Sequence, residues 1–133
     1  MASGIYNRFK AHIMKKLMDL VNDTIKVALY QNSFSFTATD TVYTATGELA
    51  NGNGYTTGGA ALANKSVTEG ATAVFDGDDS AWAASNFSVY HVVLYDQSPC
   101  NTLICAIDLG GVQTINNGTF TVQYASSGII RLT

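Results

Sequence analysis

The sequence predicts a mainly β protein that carries one helix at its amino terminus. Apolar residues recur at helical spacing up to residue 21, and the apolar period then changes to two. Short β-rich runs separated by turn signals follow to the end of the 133-residue chain. One helix followed by seven or more short strands favours an antiparallel β-sandwich, jelly-roll or immunoglobulin-like, with the helix packed on it. We therefore expect a single domain over residues 1–133, with a helix at 3–21 and a β-sandwich body at 24–133.

The predicted helix is amphipathic. Its apolar stripe is formed by residues at helical spacing: Ile5, Phe9, Ile13 and Leu17. Ser3 is a suitable N-cap, and the opposite side carries Arg8, Lys15 and Asp19. A basic amphipathic helix can lie on a membrane, but such a stripe more often docks on the core of its own protein. We therefore expect the helix to cover the body and no membrane to be bound.

The body is predicted to be a series of short strands. They cover residues 24–31, 65–68, 72–75, 87–95, 103–109, 114–115, 119–124 and 128–133, with one more around Val42 and Tyr43. Alternation in the first of them places Ile25, Val27 and Leu29 on one face. The Asn117-Gly118 pair predicts a type I′ hairpin turn. No βαβ alternation occurs, which argues against a parallel nucleotide-binding sheet.

Charge is unevenly distributed along the chain. Up to Lys26 there are five basic and two acidic residues, and from Val27 onward there are two basic and eight acidic residues. A basic segment on an acidic body indicates two surfaces with different partners. Arg8, Lys15 and Lys16 are therefore candidate partner-binding residues, and a merely solvated helix face is the alternative.

The amino terminus and the cysteines bear on the cellular compartment. The first fifteen residues are basic and contain no apolar core of signal-peptide length, and no 18-residue apolar run occurs, so we expect synthesis in a cytoplasm. Cys100 and Cys105 could close a small loop if oxidised, but a reducing compartment favours free thiols. Two cysteines without a nearby histidine pair make a poor zinc site, and we expect no metal or cofactor.

The stretch ANGNGYTTGGAAL, residues 50–62, holds four of the twelve glycines. It does not fit a phosphate-binding loop, because Gly58-Gly59 is followed by alanines and the next lysine along the chain is Lys65. We expect a loop that is ordered against a partner, in which Gly52, Gly54, Gly58 and Gly59 supply positive-φ freedom and Tyr55 is the anchor. A wide turn without a partner is the alternative.

Catalytic chemistry is poorly supported. His12 and His91 are the only histidines and Glu48 and Glu69 the only glutamates, so few titratable groups can converge in a pocket. The Asp-Gly-Asp-Asp run at 76–79 lacks the ligand spacing of a calcium loop and fits a solvated turn, with a weak structural cation as the alternative. Abundant Thr, Ser, Asn, Gly and Tyr on a β scaffold favours protein–protein contact. We expect no enzyme activity and no nucleic-acid partner.

Six segments carry a resemblance to a known class of proteins. They are YNRFK at 6–10, DTIKVALY at 23–30, GYTTGGAAL at 54–62, FDGDDSAW at 75–82, HVVLYD at 91–96 and GIIRLT at 128–133. Together and in this order they resemble small virion structural proteins of tailed bacteriophages, over nearly the whole chain. None of the segments is catalytic.

The resemblance implies a capsid decoration, or cement, protein that is made in the host cytoplasm and sits on the outer surface of the head. Its partner would be the major capsid protein, and it would act as a homotrimer or another homo-oligomer that bridges shell subunits. A tail or fibre-base component is the alternative within this class. Outside it, a sugar-binding β-sandwich remains, with Trp82 and either Tyr90 or Tyr95 as its stacking platform.

Overall fold

The computed structural model describes residues 4–98 and 101–133. Within these ranges the elements are β1 Gly4–Ile5, α1 Asn7–Met14, β2 Ile25–Tyr30, β3 Ala60–Ala61, β4 Ser66–Thr68, β5 Ala73–Asp76, β6 Ser80–Asp96, β7 Thr102–Val122 and β8 Ile130–Leu132. Strands make up 48% and helix 6% of the structure. The prediction of a mainly β protein with one amino-terminal helix is confirmed.

The strands form two antiparallel sheets. The five-stranded sheet has the order β1-β7-β6-β2-β3, and the three-stranded sheet has the order β4-β5-β8. The long hairpin β6–β7 is the centre of the larger sheet, and β2 pairs with the end of β6 from Ile25↔Asp96 to Tyr30↔His91. The arrangement is sandwich-like, as the sequence predicts.

The main core lies between the two sheets. Side chains from both contribute to one buried cluster, which includes Ile25, Val27 and Leu29 of β2 together with Phe75 of β5 and Ile130 of β8. The three β2 residues are those that the alternation places on one face, so this part of the core was predictable from a period of two.

The other face of the larger sheet is also buried. Ala28 and Tyr30, which alternate with the core residues of β2, form a second cluster covered by Phe34, Phe36 and Tyr43. The Ser/Thr-rich segment after β2 therefore covers this face of the larger sheet. The short strand predicted around Val42 is wrong, because the structure has only a single bridge there, Val42↔Thr102.

The helix is much shorter than the predicted 3–21. Its amino-terminal side is lost because Gly4 and Ile5 pair with β7 as a strand, while Ser3, the predicted N-cap, lies outside the described residues. At the other end the N–H of Leu17 donates to the carbonyl of His12 at 2.9 Å. Lys16 takes a positive φ of 61°. This is the Schellman arrangement that terminates helices, so α1 ends at Met14.

The predicted hairpin at Asn117-Gly118 is wrong as well. Residues 103–124 were expected as three strands, but most of this stretch belongs to the continuous strand β7. Asn117 alone of the pair has a positive φ, and it is the extra residue between the pairs Asn86↔Asn116 and Ser85↔Gly118. A type I′ turn needs positive φ at both central residues, whereas a β-bulge needs it at one.

Candidate interaction surface

The glycine-rich segment folds back on the chain's own sheet. Gly59 has a φ of +85°, and a Cβ placed on it would lie 2.1 Å from the carbonyl oxygen of Val27. Gly54 has a φ of +91°, and a Cβ on it would lie 2.9 Å from the Cα of Ser85. Both glycines are therefore required by contacts within the chain.

Tyr55, the predicted partner anchor, points into the protein. It is only 2% exposed. Its hydroxyl donates to the carboxylate of Glu48 and accepts the N–H of Leu29 at 3.1 Å. The N–H of Gly58 donates to the same carboxylate at 2.8 Å. Burial first, and then the hydrogen bond to Glu48, raise the pKa of Tyr55 well above its usual range.

The alternative of a turn without a partner accounts for these contacts, and a partner contact through Gly54, Gly58 and Gly59 stays a prediction. Glu48 itself was missed as an organising residue. The sequence carries one signal for it, since it is the only glutamate between the two tyrosines that donate to it, Tyr43 and Tyr55.

The three basic residues predicted to bind a partner lie together on α1 and at its end. Arg8 and Lys15 are exposed, and both act on His12 between them, where burial first and then these two cations lower the His12 pKa. Lys16 follows directly and is also exposed. None of the three forms an ion pair with a carboxylate in the described part of the chain.

An apolar groove of about 480 Å³ opens beside this helix end. We name it the helix-end groove. It is lined by residues of α1 and the segment that follows, together with one residue each of β4 and β8: Ile13, Lys16, Leu17, Met18, Asp19, Leu20, Asp23, Val67 and Leu132. Leu17 is 51% exposed, Val67 50% and Leu132 53%. Apolar area exposed in this way on adjoining elements is typical of a contact surface.

The exposed apolar residues concentrate at this one place. Seven large apolar side chains are exposed in the described ranges, and three of them line the groove. Met14, which is 87% exposed, and Val21, which is 41% exposed, belong to the same segment as Leu17. After α1 ends at Met14, Leu17 and Val21 stay exposed, whereas Met18 and Leu20 of the same segment pack against the core.

The Asp19 carboxylate is bonded within its own loop, whereas Asp23 also interacts with Asp96 of β6. The Asp19 carboxylate accepts the N–H groups of Val21 and Asn22 and the side-chain amide of Asn22. These bonds, led by the Asn22 side chain, lower the pKa of Asp19. Asp23 accepts the N–H of Asp19 at 2.9 Å. Lys16 has no such local partner among the described residues.

The other sequence candidates lie elsewhere. Trp82 and Tyr95 are both buried, so they do not form the exposed sugar platform that was considered. Asp76, Asp78 and Asp79 each bond within the fold: to Gly77, to Asn64 and to the N–H of Tyr124. Two of the three bonds join the run to distant segments of the chain, and its interpretation as a solvated turn stays a prediction. In residues 4–98 and 101–133, no group of three or more His, Cys, Asp or Glu side chains could hold a metal.

His91 and Cys105 are buried, and His12 is half-buried. His91 is 3% exposed and lies 4.0 Å from the carboxylate of Asp108. Burial lowers its pKa, and Asp108 partly opposes that effect. Cys105 is a buried free thiol whose pKa burial raises to about 12, while Cys100 lies outside the described residues.

In the described ranges, no helix has the length and apolar character needed to cross a membrane. Comparison of the chain with protein-family models, with curated proteins and with solved structures found no match.

Proposed function

We propose that this protein is a virion structural protein of a tailed bacteriophage that decorates the outer surface of the head and stabilises the shell. The resemblance described above, which spans nearly the whole chain, supports this proposal. The observation that carries it in the structure is the helix-end groove, where the exposed apolar side chains of Leu17, Val67 and Leu132 line one concavity beside α1.

The physical role follows from linkage. A protein that binds the assembled shell more tightly than free subunits stabilises the shell by mass action. Each copy that bridges two subunits adds buried area at their joint, and a homo-oligomer adds several such contacts at once. A two-sheet body that exposes an apolar groove beside its helix suits this task.

Immunogold labelling of intact virions with antibody against the chain tests the proposal. We expect gold over the heads. Heads assembled from the major capsid protein of the same phage should also withstand a higher temperature once the chain is added.

Three results would count against head decoration. Gold confined to the tail would assign the chain to the tail or fibre base. Virions that are unlabelled, and that also lack the chain by mass spectrometry, would overturn a virion role altogether. Gold on heads that gain no thermal stability would leave the chain on the shell but remove the cement role.

A further inference from the structure

We infer that the outer edge of strand β7, over residues 113–122, pairs with the same edge of a second copy of this chain about a two-fold axis. The inference assigns the surface through which two copies associate. It does not depend on where the chain acts, so it stands apart from the proposed head decoration.

Strand β7 is open along one side for much of its length. In the larger sheet β1 covers its outer edge only at Cys105 and Ala106, whereas β6 pairs with its other edge as far as Val122. Among the strands that the structure describes, none pairs with the outer edge over residues 113–122. The backbone N–H and C=O groups that point outward there are therefore a template for another β-strand.

This edge lacks the features that normally keep an exposed strand unpaired. Edge strands of monomers usually carry charged side chains or proline, which oppose pairing with another chain. Residues 109–130 contain no charged residue and no proline. The edge is instead rich in β-branched residues, a composition that favours strand pairing: Thr114, Ile115, Thr119 and Thr121.

The side chains along this edge match themselves across a two-fold axis. Phe120 is buried and Ile115 packs against the core, whereas their chain neighbours Thr121 and Thr114 are exposed on the opposite face. An antiparallel pair with its axis at residues 117–118 places Ile115 of each copy opposite Phe120 of the other, and Thr114 opposite Thr121. Aromatic residues opposite β-branched ones, and threonine opposite threonine, stabilise antiparallel pairs.

The absence of charge favours a second copy over a different partner. In a two-fold pair, a charged residue near the axis faces the same charge on the other copy, which is destabilising. A segment without charges meets this requirement. It also offers nothing that would attract a charged strand of another protein, so self-pairing is the arrangement that the edge suits best.

A cleft of about 380 Å³ opens beside the same part of β7. Its lining includes Phe120 and Val122 of the core cluster and Tyr124 of the segment that follows. In the two-fold pair, Ile115 of the second copy lies opposite Phe120 and on the same face of the sheet. Its side chain would then bury apolar surface at this cleft, so the added strand extends the core as well as the sheet.

Charges placed at Thr114 and Thr121 test the register of the pair. The two residues lie far apart along one strand, but they face each other across the proposed axis. Thr114→Lys with Thr121→Lys puts like charges opposite each other, whereas Thr114→Lys with Thr121→Glu puts opposite charges there. Ser66→Lys with Thr68→Lys is the matched control, because both residues are exposed on β4 at an edge of the smaller sheet.

Self-association of the purified full chain is measured by sedimentation equilibrium over a range of protein concentrations. We expect wild type to form a dimer and the Lys–Lys variant of β7 to raise its dissociation constant at least about tenfold. The Lys–Glu variant should dimerise at least as tightly as wild type, and the β4 control should match wild type. Raising the salt concentration should reduce the difference between the two β7 variants.

Hydrogen exchange of the wild-type chain gives a second test that needs no variant. Amides of residues 113–122 that point to the open edge should exchange slowly at high protein concentration and faster on dilution. Amides of β2, which lies inside the larger sheet, should exchange at the same rate in both conditions. Exchange at residues 113–122 that does not depend on concentration would overturn the inference.

The outcomes separate this inference from head decoration. A chain that stays monomeric, or β7 variants that associate equally, would overturn the pairing and leave head decoration standing. A trimer would also overturn it, because a two-fold edge pair joins copies two at a time. A monomer whose Lys–Lys variant no longer co-sediments with heads would assign the edge to a shell subunit instead. A dimer that is absent from virions would overturn head decoration and support the pairing alone.

Discussion

The hydroxyl of Tyr55 donates a hydrogen bond to the buried carboxylate of Glu48, and the hydroxyl oxygen of Tyr55 accepts the N–H of Leu29 at 3.1 Å. The pair therefore fastens the glycine-rich segment to strand β2. Both side chains are almost fully buried, at 2% and 6% exposed. A loop that the sequence presents as a possible contact site is held in place by an internal tyrosine and carboxylate.

Removing the Tyr55 hydroxyl should destabilise the protein. In Tyr55→Phe the buried N–H of Leu29 and one oxygen of Glu48 lose a partner, which typically costs about 1–3 kcal/mol. Chemical denaturation measures the change. Tyr90→Phe is the matched control, because the Tyr90 hydroxyl bonds to none of the described residues. Equal stability of the two variants would contradict a structural role for the Tyr55–Glu48 pair.

Asp96 should make stability fall as the pH rises. Burial first, and then the neighbouring Asp23, raise the pKa of Asp96 to about 8. An unfolded aspartate has a pKa of about 4, so between these values the folded protein holds a proton that the unfolded chain has lost. The stabilising effect of that proton is complete below about pH 4 and is lost as the pH rises through about 8.

Asp96→Asn tests this directly, because the amide cannot lose the proton. The unfolding free energy of Asp96→Asn relative to wild type should therefore increase from about pH 5 to about pH 9. Glu69→Gln makes the same chemical change at an exposed side chain. A difference between Asp96→Asn and wild type that stays constant over this range would show that Asp96 does not hold its proton on folding.

Gly59 should tolerate no side chain. In Gly59→Ala the Cβ would lie 2.1 Å from the carbonyl oxygen of Val27 at a φ of +85°, so β2 or β3 must move. We expect a loss of about 3 kcal/mol or more, at the upper end of overpacking costs. Gly52→Ala is the matched control, since Gly52 also has a positive φ, +111°, but nothing within 4 Å of an added Cβ.

The control should cost only the backbone strain, about 1–2 kcal/mol. The comparison by denaturation thus separates strain from collision. Equal losses in the two variants would mean that the close approach of Gly59 to Val27 does not exist in solution.

At Ala84, unlike at Gly59, a substitution should preserve or raise the stability of the protein. Ala84 is exposed at an irregular point of β6 between Trp82 and Ser85, with a φ of 51°. Ala84→Gly should be neutral or should stabilise the protein by up to about 1 kcal/mol, because glycine adopts positive φ without penalty. Ala81→Gly, at an exposed and regularly paired position of the same strand, should instead destabilise it by about 0.5–1 kcal/mol. The same sign of change in both variants would contradict the bulge at Ala84.

The sequence predicts correctly that the helix packs on the body and wrongly where it ends. Apolar spacing predicts helix through residue 21, and Phe9 and Ile13 do pack on the body as expected. The spacing cannot show that the chain turns left-handed at Lys16, because a lysine carries no turn signal of its own. The helix therefore ends seven residues early, and Leu17 reaches the surface.

The glycine-rich segment is a second case in which the local sequence predicts only part of the structure. The clustering of glycines correctly indicates positive φ, which the structure confirms at Gly52, Gly54, Gly58 and Gly59. It does not show what those glycines approach. Gly59 needs its conformation because Ala60 pairs with Val27, and that pairing joins residues far apart in the chain.

The sequence alone determined the β character, the single amino-terminal helix, the alternation of β2 and the basic residues near the start of the chain. These features depend on local spacing and composition, which a short window of residues contains. Only the tertiary structure decided where the helix ends, that β6 and β7 run on through a bulge at Asn117, and that Val67 and Leu132 meet Leu17 in one groove. These features depend on pairings and packing between distant segments, where long-range contacts outweigh local preference.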